Sequence, residues 1–283
     1  VLLYVDATAA YRDDERWGFH LANEMTRRLR VSFGADEVTR MLERAALFAP
    51  PEGPHFVYEE NVRLFAGRRG RGPLHVALDT NLLIDYFTYG HRIWTGDSVV
   101  DLVSGEDYST DLESLQLVLA LWAVRDIRFI MLAASVDDAK KTLPQERRGQ
   151  RLLAFEEFTA ALQLLGWGEP EKRPSREGLL ILPEREMTRA LTAVPAGNDR
   201  RLVHDALQVG ANVFLTRDVG ILKATDAMRP FGLLIATPAD LLEELFACGA
   251  FHCFLGPRYL YWPAPDQQRI GHLIHALDPD RRP

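Results

Sequence analysis

The sequence predicts an α/β protein, a three-layer α/β/α arrangement around a central, mostly parallel sheet, with a mainly helical extension ahead of it. Three observations carry this. Short apolar runs lacking polar alternation, in LHVALDTN, IRFIMLA, NVFLTRD and FGLLIATP, suit strands buried on both faces. Between them lie stretches of helical periodicity, the alternation that gives parallel strands with right-handed crossovers. Acidic residues follow the apolar runs closely, and open parallel sheets bind ligands at the carboxyl ends of their strands.

The elements are expected in this order. VLLYVDAT reads as a short strand, and ERWGFHLANEMTRRLRV and DEVTRMLERAALFA as helices, the second starting near Gly34 and Asp36. APPEGPHF is a turn-rich break. AGRRGRGP, residues 66–73, has the composition of a flexible basic linker, so a boundary is expected there. The strand of LHVALDTN leads into LLIDYF, and DLESLQLVLALWAVR forms an amphipathic helix. IRFIMLA is the second buried strand, and SVDDAKKTL turns into a helix. ERRGQRLLAFEEFTAALQLLGW is a long helix, and GLLILP a short apolar run. NDRRLVHDALQVGA is a helix closed by Gly210. NVFLTRD and FGLLIATP complete the strands, and Pro238 opens the helix PADLLEELFA. The expected organisation is an N-terminal extension over 1–73, a main domain over 74–245 and an aromatic, proline-rich C-terminal extension over 246–283. The aromatic positions Tyr259, Tyr261 and Trp262 suit packing on the core or on a partner.

Composition narrows the function classes. The chain has 283 residues, 47% hydrophobic and 26% charged, as in a globular protein. No apolar run reaches the ~20 residues that span a bilayer. The opening residues have no basic flank and meet acid at Asp6, unlike a secretory signal. Its two cysteines, Cys248 and Cys253, imply no disulfide framework, and a cytoplasmic setting is expected. His252 lies between them, but no further ligands at zinc spacing follow. A formal charge of −7 argues against binding nucleic acid by bulk attraction, while leaving room for a local basic rim.

The candidate site is a set of carboxylates. Asp79 ends the first strand of the main domain, and Asp218 follows NVFLTR. Asp137 and Asp138 open the helix after IRFIMLAAS. Asp199 starts the helix that leads into the NVFL strand, which brings it toward the same sheet edge. Clustered carboxylates raise one another's pKa values, and a hard divalent cation relieves that repulsion. Mg²⁺ or Mn²⁺ suits such oxygen ligands, activates water, and stabilises an in-line phosphodiester displacement. Singly, Asp138 and Asp199 have ordinary explanations at helix N-termini. Asp79 does not, because a carboxylate at the end of a doubly buried strand is costly without a partner.

These motifs resemble the PIN-domain nucleases. VALDTNLLIDYF is similar to the family's opening strand, Asp-Thr-Asn and apolar helix start. NDRRLVHDALQVGANVFLTRD is similar to its closing Asp, Ala-Leu-x-x-Gly helix end, strand and Thr-x-Asp. The resemblance covers roughly residues 74–245. It implies a metal-dependent endoribonuclease with Asp79, Asp199 and Asp218 as metal carboxylates, Mg²⁺ or Mn²⁺ as cofactor, and Asn81 and Thr216 as supporting polar residues. The family's second acid follows the second strand and is often Glu. Asp138 matches that position, Asp137 stands beside it, and Glu113, which opens the preceding helix, is the alternative. Arg147, Arg148, Arg151, Arg200 and Arg201 are candidate phosphate contacts. RNA is the implied substrate, with an inhibitory protein partner or a homo-oligomer, no membrane, and a toxin–antitoxin or phage-defence setting.

Two departures matter. The chain is longer than the single-domain toxins of the family, and its second acid is the shorter Asp. A catalytically weak PIN-like binding or scaffold module is therefore the alternative. A haloacid-dehalogenase-like phosphatase requires a second Asp two residues after the first. Asn81 stands there and cannot cycle a proton. A dinucleotide-binding fold needs a glycine-rich turn where DTNLLID stands.

Overall fold

The computed structural model describes residues 34–46, 55–95, 105–121, 125–135, 138 and 183–250. Within them the chain is an α/β protein built on a four-stranded, all-parallel sheet. In chain order the elements are α1 (Ala35–Ala46), β1 (Phe56–Val57), α2 (Val62–Phe65), β2 (Arg71–Gly72), β3 (Leu74–Leu78), α3 (Thr80–Thr95), α4 (Glu106–Leu121) and β4 (Ile127–Met131). These are followed by α5 (Glu184–Ala190), α6 (Asn198–Gln208), β5 (Val213–Leu215), α7 (Val219–Leu222), α8 (Thr225–Met228), β6 (Leu234–Ala236) and α9 (Pro238–Ala247).

The sheet order is β4-β3-β5-β6, with β3 and β5 in the centre. All five β3 residues are buried, His75 among them, as expected of a mainly apolar strand covered on both faces. The register pairs Leu78 with Met131 on one side and with Leu215 on the other, and Leu215 in turn with Ala236. All four carboxyl ends therefore finish level. The chain leaves β3 toward β4 and leaves β5 toward β6. The strand order thus reverses between β3 and β5, where open parallel sheets form their ligand crevice.

One core cluster joins Ala77, Phe214 and Ile235 of the sheet to Leu202, Val203, Ala206 and Leu207 of α6. Their i, i+1, i+4, i+5 spacing is one face of a helix. Helix α4 packs chiefly on α9, which also touches β6 and α1. A capping box starts α9. Asp240 N–H donates to Thr237 Oγ1 and Thr237 N–H to Asp240 Oδ2, both at 3.1 Å, with Pro238 in the first turn where no amide partner is needed. Gly210 has φ 74°, the left-handed conformation expected of a helix stop.

The amino end of the sheet is polar. His75 is buried on β3, and burial, then the Arg128 and Arg68 charges, lowers its pKa to about 4. Its backbone N–H donates to Asn212 Oδ1 at 2.9 Å, and Asn212 N–H donates back to His75 O at 2.9 Å.

Three expectations need correction or placement. Residues 66–73 are not a flexible linker. They contain β2, which pairs antiparallel with β1, and Arg68 is buried with its guanidinium donating to Gly210 O at 3.4 Å. Gly72 serves packing, since a Cβ there would collide with the Tyr58 hydroxyl, and Gly67 and Gly70 adopt the left-handed region. Asn61, which caps α2 through Leu64 N–H, also donates to Glu244 of α9. The amphipathic helix expected from Asp111 starts earlier, at Glu106. The expected elements over 1–33, the long helix 146–167, GLLILP up to Leu182, and residues 251–283 with Cys253, His252, Tyr259, Tyr261 and Trp262 lie outside the described residues. Cys248 is buried, its thiol donating to Leu245 O at 3.4 Å. Among the described residues, no helix is long and apolar enough to cross a membrane.

Candidate metal centre

Asp79 is the first residue beyond β3 and only 5% exposed. Its backbone N–H continues the ladder onto Leu215 O at 3.0 Å. Thr216 Oγ1 donates to Asp79 Oδ2 at 2.5 Å, and Thr80 N–H donates to Oδ1 at 2.6 Å. A carboxylate oxygen offers two lone pairs, so each oxygen retains one for another partner. Burial pushes the Asp79 pKa up to about 6. The Thr216 and Thr80 hydrogen bonds oppose the rise, and the Asp199 and Asp218 charges add to it.

The other carboxylates come from the neighbouring ends. Asp218 caps α7, with Gly220 N–H at 2.6 Å and Ile221 N–H at 3.2 Å both donating to Oδ1, which leaves Oδ2 outside the cap. Its own N–H donates to Thr216 Oγ1 at 3.0 Å. The Thr216 hydroxyl therefore touches both ends of the Thr-Arg-Asp turn's polar face. Asp199 lies in the first turn of α6, whose N-cap is Gly197. Burial raises its pKa, and the Asp218 and Asp138 charges raise it further. Asp138 accepts a short hydrogen bond from Asn198 Nδ2. Asn81 is half-buried on α3, and its Oδ1 is buried with no hydrogen-bond partner.

Asp79, Asp199 and Asp218 thus lie within electrostatic reach of one another, Asp138 reaches Asp199, and Thr216 bonds Asp79 and the Asp218 amide. Asp138 acts on Asp199, whereas Glu113, half-buried on α4, is not among the groups acting on Asp79 or Asp199. Asp137, Arg147, Arg148 and Arg151 lie outside the described residues. Arg200 is committed to Val194 O, with Nε at 3.2 Å and NH2 at 2.8 Å. Arg201 has an exposed side chain, 3.8 Å from Asp205 one turn on.

Sequence reasoning missed Asn198 and Ser135. The Ser135 hydroxyl donates to Leu78 O at 3.1 Å and helps fix the end of β3. Asn198 stands directly before Asp199, and that adjacency was its only signal. Reasoning also missed the pair formed by Arg217 and Asp85.

The donor set is oxygen only and anionic, which suits a hard divalent cation and not a soft one. Among the described residues, no three His, Cys, Asp or Glu side chains form a ready-made metal cage. That is compatible with Mg²⁺ chemistry, since this ion usually keeps several waters and is held by one or two carboxylates plus substrate phosphates. No protein-family model, curated protein or solved structure matches the chain.

Proposed function

We propose that the chain is a metal-dependent endoribonuclease with a PIN-like, three-layer α/β/α domain. The observation that carries this reading is Asp79 itself. It is a buried carboxylate at the strand-order reversal, held by Thr216 and surrounded by like charge. A carboxylate kept this way is costly unless a cation is its partner.

Asp79, Asp199 and Asp218 hold Mg²⁺ or Mn²⁺ in this reading. When bound, the cation supplies an activated water and offsets charge on the phosphodiester in an in-line displacement. Thr216 fixes the free lone pairs of Asp79 in direction. The cap on Asp218 Oδ1 leaves Oδ2 for the site. Asp138, steadied by Asn198, orients the attacking water or its proton. Asn81, two residues after Asp79, would supply a further polar oxygen to the site, since its buried Oδ1 has no hydrogen-bond partner. RNA is the substrate, and a toxin or defence role follows from the same resemblance.

Labelled RNA incubated with Mn²⁺ beside an Asp79→Asn variant tests this. We expect cleavage by the parent chain and none by the variant. Cleavage equal in both, or absent in both, sinks the reading. The lack of a ready-made cage among the described residues favours one second reading, a PIN-like scaffold of weak or no activity. That reading requires the intact chain to bind no Mn²⁺ in calorimetry.

A further inference from the structure

Arg217 separates Thr216 from Asp218, yet its side chain goes the other way. Successive side chains of an extended segment alternate. The Thr216 hydroxyl accepts from the Asp218 amide and donates to Asp79, while the Arg217 guanidinium forms a short ion pair with Asp85 of α3. The Asp85 side chain is 5% exposed and that of Arg217 23% exposed. Tyr108 of α4 closes the clamp. Its hydroxyl donates to Asp85 Oδ1 at 2.6 Å, and its ring centroid lies 3.9 Å from the guanidinium carbon. Asp111, also on α4, lies within the field of Arg217 and accepts from Ala239 N–H at 3.3 Å. One guanidinium thus ties α3, α4 and the β5–α7 turn together, beside the start of α9.

The placement has a second result. Asp85 lies on the helix that begins at Thr80, immediately after Asp79. The pair therefore links the segment following β3 to the segment following β5, in parallel with the Thr216–Asp79 bond. The groups acting on Asp79 and Asp199 do not include Arg217. A cation fixed next to the proposed ligand Asp218 thus spends its charge on Asp85 and not on Asp79 or Asp199.

We propose that Arg217 is a positioning residue for the carboxylate cluster. Clamped by Asp85 and Tyr108, it holds the Thr216–Asp218 turn against Asp79 while keeping its own charge out of the cation site. The inference rests on the metal-site reading for its purpose, but the clamp is measurable without metal.

The test uses the full chain with Arg217→Lys, Arg217→Met and the double variant Asp85→Leu/Arg217→Met, which leaves no buried carboxylate unpaired. Two quantities are read, amide hydrogen exchange at Asp218 and Ile221 without metal, and Mn²⁺ affinity by calorimetry. In the folded double variant, exchange at these two amides rises about tenfold or more relative to Phe214 and Leu215. Mn²⁺ binding weakens by about tenfold. Arg217→Lys falls between, because an ammonium keeps the charge but loses the planar fork and stacking. A purely structural role lowers melting temperature without selective change at Asp218 and Ile221, and that result overturns the proposal. Exchange unchanged while the parent chain binds Mn²⁺ also overturns the clamp and leaves the metal reading standing. Exchange raised in a chain that never binds Mn²⁺ supports the clamp and overturns the metal reading instead.

Discussion

Two effects act on Asp79 in the same direction. Its position beyond β3 removes it from water, while Asp199 and Asp218 surround it with like charge, so its pKa rises to about 6. With the folded pKa above the ordinary 3.8, the native state binds this proton more tightly than the unfolded chain. The stabilisation is fully present below about 3.8 and is lost as pH rises through about 6. At pH 7.5 the ionised group costs on the order of 3 kcal/mol of metal-free stability. Asp79→Asn should therefore stabilise the metal-free chain at pH 7.5, by about 1–3 kcal/mol. It should also flatten the pH dependence in this range. Urea melts at pH 5 and 7.5 check this, and a variant less stable than the parent at pH 7.5 contradicts it.

Gly220 makes a second argument at this scale. A Cβ there would lie 2.9 Å from Asp218 Oδ1 and 3.1 Å from Pro195 Cγ. The carboxylate would have to leave its cap. Gly220→Ala should weaken Mn²⁺ binding by about tenfold with only a modest change in melting temperature. Wild-type affinity in calorimetry would mean that the Asp218 cap does not shape the site.

Elements differ in how much of them the sequence reveals. The strands β3, β4, β5 and β6 were readable because a short, mainly apolar run has few other uses in a chain of this composition, although β4, expected to be buried on both faces, is an edge strand of the described sheet and only partly buried. Helix α9 was readable from Pro238, whose role at a helix start is local, and the Thr237–Asp240 capping box adds to it. The fold of residues 66–73 was not readable. Gly-Arg-Arg-Gly-Arg-Gly has linker composition, and its packing depends on Tyr58 and on Gly210 far along the chain. The Arg217–Asp85 pair was hidden for the same reason, since an arginine after a strand reads as solvent-facing until α3 is placed beside it. The candidate carboxylates were legible individually as strand ends and helix starts. Asp138 was harder to place, because its partner Asn198 is 60 positions away. Thr237→Ala removes one half of the capping box and should cost about 1 kcal/mol, with Thr237→Ser restoring most of it. Equal urea midpoints for parent and Thr237→Ala would show that α9 is held by packing alone.

For the whole molecule, the proposed activity requires an acidic chain of formal charge −7 to meet a polyanionic substrate. A cation held at the Asp79 edge is then the local positive charge that the composition lacks. Proton and metal compete for that edge. Mn²⁺ should raise the melting temperature more at pH 7.5 than at pH 5, because Asp79 is ionised at the first and mostly protonated at the second. Differential scanning at the two pH values, at matched ionic strength, checks this. An equal rise at both places the binding elsewhere.

The pairing of β3 with β5 has a consequence in time as well as space. Asp79 and the Thr216 hydroxyl that holds it are 137 positions apart, and contacts of such separation close late in folding. During synthesis, a nascent chain still short of β5 contains Asp79 but neither its hydroxyl partner nor Asp218. The cluster comes into being only when β5 slots in beside β3. On the proposed reading, the chain cannot cleave RNA until β5 has been made and paired, with no inhibitor needed for that interval.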